Sequence, residues 1–228
     1  MNIVLTERLR TAAELVRCSR KTVDVGTDHG YLPAFLVMGG ITDNVTAADI
    51  GKGPLENAKK TIEKYSLEGK IGTMQSDGLD KIDHDTQEII ICGMGGTLIA
   101  EILSKAEWIK HGEIHLVLQP MTHSYDVRKF LCENGFYIDN EKFCTDTGRD
   151  YVVISAFYDG KDHSRDDFYY YFGDVVTGET PSERGYLKKQ IFYVKSRYDG
   201  LMMSGNEEDA SVFGKVLDGI KAKWSELL

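Results

Sequence analysis

The sequence has little of what holds small secreted domains and zinc modules together. Its four cysteines, Cys18, Cys92, Cys132 and Cys144, stand apart from one another in 228 residues, with no C-x-x-C pair and no histidine at ligand spacing. A disulfide framework is excluded, no metal site is expected, and a reduced compartment follows. Long hydrophobic runs are missing too: none approaches the roughly 20 residues that a bilayer-spanning helix needs, so no membrane partner is expected. The opening segment MNIVLTERLRTAAELVR is amphipathic with charges scattered through it. It has neither the apolar core nor the small-residue cleavage site of a secretory leader, so a cytoplasmic protein is expected. An excess of positive charge is also absent. Lysine and arginine number 27 against 36 acidic residues, a formal net charge of −9, which excludes a generally basic nucleic-acid-binding surface.

What is present is a regular alternation. Short β-rich runs at 22–26, 45–49, 71–75, 88–92 and 114–119 are mostly separated by helical stretches at about 31–38, 54–65, 97–106 and 125–134. The run EIIIC at 88–92 is the most hydrophobic and is expected to be central, buried on both faces. This pattern predicts an α/β, Rossmann-like protein whose parallel strands are joined by right-handed crossovers. Runs 136–144 and 150–157 have no helix between them and predict an antiparallel hairpin at the sheet edge. At the start, Leu5, Leu9, Ala12, Ala13 and Val16 recur at helical spacing, with Thr6 as the expected N-cap.

Beyond residue 160 the period changes. Leu187, Ile191, Val194, Tyr198 and Leu201 are spaced 4, 3, 4, 3, and Phe213, Leu217, Ile220, Trp224 and Leu227 repeat that spacing. Two such seams joined by Ser204-Gly-Asn206 predict an antiparallel coiled-coil hairpin. The expected division is an α/β domain over 1–160 and an α-helical domain over 161–228.

Ligands of open parallel sheets sit outside the carboxyl ends of the strands. The first run ends in VDVGTDHGY, where Gly26 and Gly30 allow close approach to the backbone. The G-x-G-x-x-G of dinucleotide sites is absent. Asp49, followed by Ile50, ends the second run, where a carboxylate can accept hydrogen bonds from ribose hydroxyls. Asp77 and Gly78 follow the third, where an acid can accept from an adenine amino group, and Gly93, Met94, Gly95 and Gly96 follow the fourth. A ribose-binding acid alone does not separate NAD from S-adenosylmethionine. Asp28 would oppose a pyrophosphate, whereas Asp24 and Asp28 would both favour a sulfonium and an ammonium. The methyl donor is therefore the expected cofactor.

The segments VDVGTDHGYLP, AADIGKGPLENAKKTI, SDGLDKI, IIICGMGGTLIAEIL, LVLQPMTHSYDVRKFLCENGF and GRDYVVI, in this order, resemble the bacterial tRNA adenine-N1 methyltransferases that modify adenosine 22 of the D-loop. The resemblance covers about residues 5–157, and its D-H-[GA]-Y-L-P and C-G-M-G-G motifs are specific. It implies the seven-stranded class I methyltransferase fold, with the helical tail helping to grip tRNA. By position, Gly26, His29, Asp49, Asp77 and the turn 93–96 would line the cofactor site, while Asp28 and Tyr31 would face the target base. The sequence departs from the family at Met121, where Asn is expected after Gln119-Pro120, at Gly30, where Ala is usual, and at Ser76, where Gly is common.

Two basic clusters are candidate tRNA contacts: Arg8, Arg10 and Arg17 with Arg20 and Lys21, and Lys188, Lys189 and Lys195 with Arg197. Gln119 and Pro120 are further candidate substrate contacts. Rival readings are a methyltransferase of small molecules, an NAD-dependent oxidoreductase, and an RNA-binding protein with a vestigial cofactor fold.

Overall fold

The computed structural model describes residues 3–174 and 178–224. Its strands are β1 Thr22–Val25, β2 Val45–Asp49, β3 Ile71–Gln75, β4 Glu88–Gly95, β5 His115–Thr122, β6 Phe136–Asp146 and β7 Arg149–Tyr158. They form one seven-stranded sheet in the order β3-β2-β1-β4-β5-β7-β6. β1 to β5 pair in parallel, and β7 runs antiparallel to both β5 and β6. The expected hairpin is therefore at the edge, but its second strand inserts between β5 and the first. The residues explain the swap. β7 buries Val152, Val153, Ile154 and Ala156 in succession, as an interior strand must. β6 carries the polar, solvent-reaching Asp139, Asn140 and Lys142, which suit an edge.

Helices α1 Glu7–Ala13, α2 Tyr31–Met38, α3 Lys52–Lys64, α4 Gly96–Lys105 and α5 Ser124–Glu133 cover the sheet. In β4, Ile89 and Ile91 face a core that includes Ile99 and Leu103 of α4 and Val127 and Leu131 of α5. Ile90 faces the opposite core, with Ala12 and Ala13 of α1 and Leu32 and Leu36 of α2. This is the period-2 division of a strand buried on both sides. Thr6 occupies the N-cap position of α1 but makes no side-chain capping bond.

The remaining helices are α6 Asp167–Phe172, α7 Pro181–Met203 and α8 Glu207–Trp224. The chain reverses between α7 and α8 at Gly205, whose φ of 73° is the left-handed conformation glycine tolerates. Leu187, Ile191, Val194, Leu217 and Ile220 are buried along the expected seams; Leu227 lies outside the described residues. The seam is not closed by two helices alone. Tyr171 and Phe172 of α6 complete it, and Phe143 of β6 and Tyr125 of α5 pack against it. The aromatic hexapeptide DFYYYF of α6, capped by Asp166 accepting from the Tyr169 N–H, thus joins the helical part to the sheet.

Candidate active site

Parallel pairing places the carboxyl ends of β3, β2, β1 and β4 along one edge. In register, Asp49 lies opposite Gln75, and Val25 opposite both Ala48 and Ile91. The residues that follow these positions are Ser76, Gly26 and Cys92, so the polar strand tips meet in one row. Gly26 has φ 82°, and a Cβ there would fall 2.2 Å from Met94 Cε, so bare backbone lets the β1 and β4 tips approach. Asp49 Oδ1 accepts from the Gly51 N–H at 2.7 Å; its other oxygen has no hydrogen-bond partner among the described residues. Ile50 is exposed, and its carbonyl accepts from Gln75 Nε2 at 3.0 Å. Asp77 is exposed beside Gly78. Ser76 ties this loop together: its hydroxyl donates to the Gly78 carbonyl at 3.0 Å and accepts from the Lys81 N–H at 3.1 Å.

Asp24 is buried within β1, and burial pushes its carboxyl up to about 6. The neighbouring Asp49 adds to the rise and the Thr27 side chain opposes it. A buried carboxylate close to a second acid is an arrangement that a cationic ligand would relieve.

The segment 93–96 is only partly a turn. β4 continues through Gly95, with register irregularities on both sides of Met94, and α4 starts at Gly96. A Cβ at Gly96 would lie 2.0 Å from the His123 carbonyl oxygen, so this glycine lets the β4–α4 and β5–α5 connections touch. The Gly93 N–H donates to Gln119 Oε1 at 3.2 Å. Gln119, a candidate substrate contact from sequence, is fully buried, and Arg8 Nη1 donates to the same oxygen at 3.0 Å. Arg8 Nε reaches Asp146 at 2.8 Å, and Met121 Sδ lies 3.3 Å from Nη1. Arg8 and Gln119 thus brace the glycine segment from behind, and Met121 contributes a weak sulfur acceptor where the family expects an amide.

The first basic cluster does not form one patch. Arg17 pairs with Asp139 at 3.0 Å, Arg20 donates to the Glu113 carbonyl, and Lys21 pairs with Asp83 and Asp85. Arg10 stays exposed, with Glu7 only at 3.9 Å. Each of the long-range partners is more than 60 residues away in sequence, which hides the neutralisation from a local reading. In the second cluster Lys188, Lys189 and Lys195 are exposed on α7, with no carboxylate within 4.0 Å among the described residues.

The segment Asp28-His29-Gly30 forms the loop into α2. Gly30 is its N-cap, so Asp28 is not capping the helix and stands exposed, 3.3 Å from His29 Nε2. Tyr31, 45% exposed, stacks on His29 with centroids 5.2 Å apart. The pair lines a shallow groove with Asn57, Lys60 and Lys64 of α3. A second, deeper cavity of about 470 Å³ lies on the other side of the glycine segment, between the β5–α5 connection, β7 and α7. Sequence reading misses it, because Phe192 and Tyr193 fall outside the heptad seams. Among the described residues no cluster of three or more His, Cys, Asp or Glu is placed to hold a metal.

Strand order, reversed last strand and a row of acids and glycines at the carboxyl edge define a class I methyltransferase fold. A methyltransferase-domain family model matches residues 5–154. The chain is 30% identical to a tRNA (adenine(22)-N(1))-methyltransferase of Bacillus subtilis over 90% of this chain and 88% of that protein. The crystal structure of the B. subtilis M1A22 tRNA methyltransferase TrmK matches with a TM-score of 0.84 at 26% identity, covering 99% of each chain. TrmK of M. capricolum in complex with S-adenosyl-homocysteine matches with a TM-score of 0.76 at 26% identity, over 94% of this chain and 98% of that one. The chain belongs to the methyltransferase-domain family and, within it, to the tRNA (adenine(22)-N(1))-methyltransferases.

Proposed function

We propose that the protein transfers a methyl group from S-adenosylmethionine to N1 of adenosine 22 in the D-loop of tRNA, in the cytoplasm. Residues 1–160 would hold the donor and residues 161–228 would help to hold the RNA. The observation that carries this reading is the single row formed by Gly26, Asp49, Asp77 and the 93–96 segment. The residues present fit the donor: a free carboxylate oxygen at Asp49 for ribose, bare backbone at Gly26, and a buried acid at Asp24 for positive charge. No described helix is long and apolar enough to cross a membrane.

When bound, S-adenosylmethionine supplies a methyl group on a positively charged sulfur. Adenine N1 offers an in-plane lone pair, so no proton must leave before it is methylated. The chain's task is then in-line positioning and exclusion of water, which explains a site without a strong base. N1 lies on the Watson–Crick edge, so the base must leave its pairing to be reached. Asp28, exposed in the loop after β1, would accept from the N6 amino group and balance the cationic product. Tyr31, backed by His29, offers a ring face to the base. The basic residues Arg10, Lys188 and Lys195 are exposed and can meet phosphate.

Asp24 gives this reading a pH signature. Its folded pKa of about 6 lies above the ordinary value of 3.8. In the ligand-free protein its contribution to stability is therefore complete below about 4 and is lost as pH rises through about 6. Donor affinity has the opposite sign, because the cation prefers ionised Asp24. Titration calorimetry should show affinity falling about tenfold from its plateau by pH 5, with the fall absent in Asp24→Asn. A flat profile in the native protein removes Asp24 from the donor site.

Function itself is tested by S-adenosylhomocysteine release. It should require tRNA and disappear when adenosine 22 is replaced by guanosine. Release with an RNA-free metabolite extract as acceptor, and none with tRNA, would mark a small-molecule enzyme, and none with either a binding protein.

A further inference from the structure

The cavity between the β5–α5 connection and α7 adjoins the transfer site without containing any of the donor-binding row. Pro120 and Thr122 line it, and they pair in the sheet with Met94 and Gly95 of the glycine segment. Its volume of about 470 Å³ falls within the roughly 300–1,000 Å³ of small-ligand sites. One wall is a stripe of α7, in which Lys189, Phe192, Tyr193 and Ser196 recur at i, i+3, i+4 and i+7. Phe192 is 73% and Tyr193 41% exposed, so two rings stand unburied on a helix whose apolar seam lies elsewhere. Opposite them are Asp150 and Tyr151 of β7. Lys189 Nζ lies 5.5 Å from the Tyr151 ring centroid and forms no ion pair among the described residues. Beneath, the Tyr186 hydroxyl is fixed by Ser124 Oγ at 2.7 Å and by Arg128 Nη1 at 3.0 Å, which makes the floor rigid.

A lysine with Asp150 as its electrostatic neighbour, exposed ring faces, and that carboxylate, which also accepts from the Thr145 hydroxyl, share one preformed groove and match the parts of an unstacked nucleotide. We propose that this groove is a second nucleotide subsite, taking the base beside the target adenosine when the RNA opens for methylation. The base lies against Tyr193 and Phe192, its phosphate meets Lys189, and Asp150 accepts from an exocyclic amino group, so an amino-bearing base is preferred. The assignment rests on the tRNA reading above and deepens it.

Lys189→Ala, Tyr193→Ala and Tyr193→Phe are compared with the native chain on unmodified tRNA transcripts carrying adenosine 22. A second set of transcripts has an abasic nucleotide at position 21 or 23. Tyr193→Ala should weaken tRNA binding and raise KM about tenfold, while donor affinity and melting temperature stay unchanged. Tyr193→Phe keeps the native affinity. Lys189→Ala lowers the salt dependence of binding by about one phosphate contact. One of the two abasic transcripts should bind the native protein about tenfold more weakly, yet bind Tyr193→Ala no worse than the intact transcript does. Native protein that methylates tRNA while both alanine variants match its KM and affinity overturns the subsite and leaves the function standing. Variants that lose donor affinity equally also overturn it, and native protein that fails to methylate tRNA overturns both.

Discussion

Replacing Asp49 with alanine should raise the dissociation constant for S-adenosylmethionine by about 100-fold. The carboxylate ends β2 within the row of strand tips proposed to hold the donor, with Oδ1 accepting from the Gly51 N–H at 2.7 Å. Two ribose hydroxyls donating to it, at about 1.5–3 kcal/mol for each hydrogen bond to a charged group, amount to at least 3 kcal/mol. Each 1.4 kcal/mol is a factor of ten, which gives the 100-fold figure. Asp49→Asn keeps one carbonyl acceptor and should lie between, near tenfold. Calorimetry with S-adenosylhomocysteine should show the same ratios, since the hydroxyls are shared and the methyl group is not involved. Asp49→Ala binding within threefold of the native protein would place the ribose elsewhere.

The second large effect concerns stability. Arg128 of α5 is fully buried, and its Nε donates to Glu141 Oε1 of β6 at 2.6 Å. Its Nη1 donates to the Tyr170 and Tyr171 carbonyls of α6 and to the Tyr186 hydroxyl of α7. One side chain therefore fastens the helical part to the sheet. Arg128→Met leaves Glu141 buried without its cation, and losing one partner of such a pair costs roughly 3–5 kcal/mol. At about 2–4 °C per kcal/mol for a chain of this size, the melting temperature should fall by about 6–20 °C. The double variant Arg128→Met/Glu141→Leu removes both charges and should recover part of that loss, the remainder being the Tyr170 and Tyr171 carbonyls left without their donor. A single variant as stable as the native protein, or a double variant no better than the single, would mean that the pair does not anchor the helices.

The parts of the fold written in local patterns were legible in advance. β1 to β5 announce themselves because each is a short apolar run stopped by glycine, acid or amide, and a parallel sheet must then gather those stops on one edge. Pairing partners are a different kind of information. The sequence of β6 and β7 predicts a hairpin, but which strand lies inside depends on the apolar face that β5 offers. The short α6 has no helical period long enough to read. The basic residues near the amino end looked like a patch because their neutralising partners, Asp139 and Asp146 among them, come from β6. Arg8 is the instructive case: local charge suggested RNA, whereas contact with Gln119 and Asp146 makes it a brace for the glycine segment. The α7 cavity was hidden for a related reason, since its walls come from β5, β7 and α7 and no one segment carries its pattern.

The most direct test of the whole account is to locate the transferred methyl group. Unmodified tRNA incubated with the protein and methyl-labelled S-adenosylmethionine should acquire one label, on N1 of adenosine 22, found by nuclease mass mapping and by reverse-transcription arrest at that nucleotide. Label on another atom or nucleotide, or on a small molecule with the tRNA left unlabelled, would contradict it.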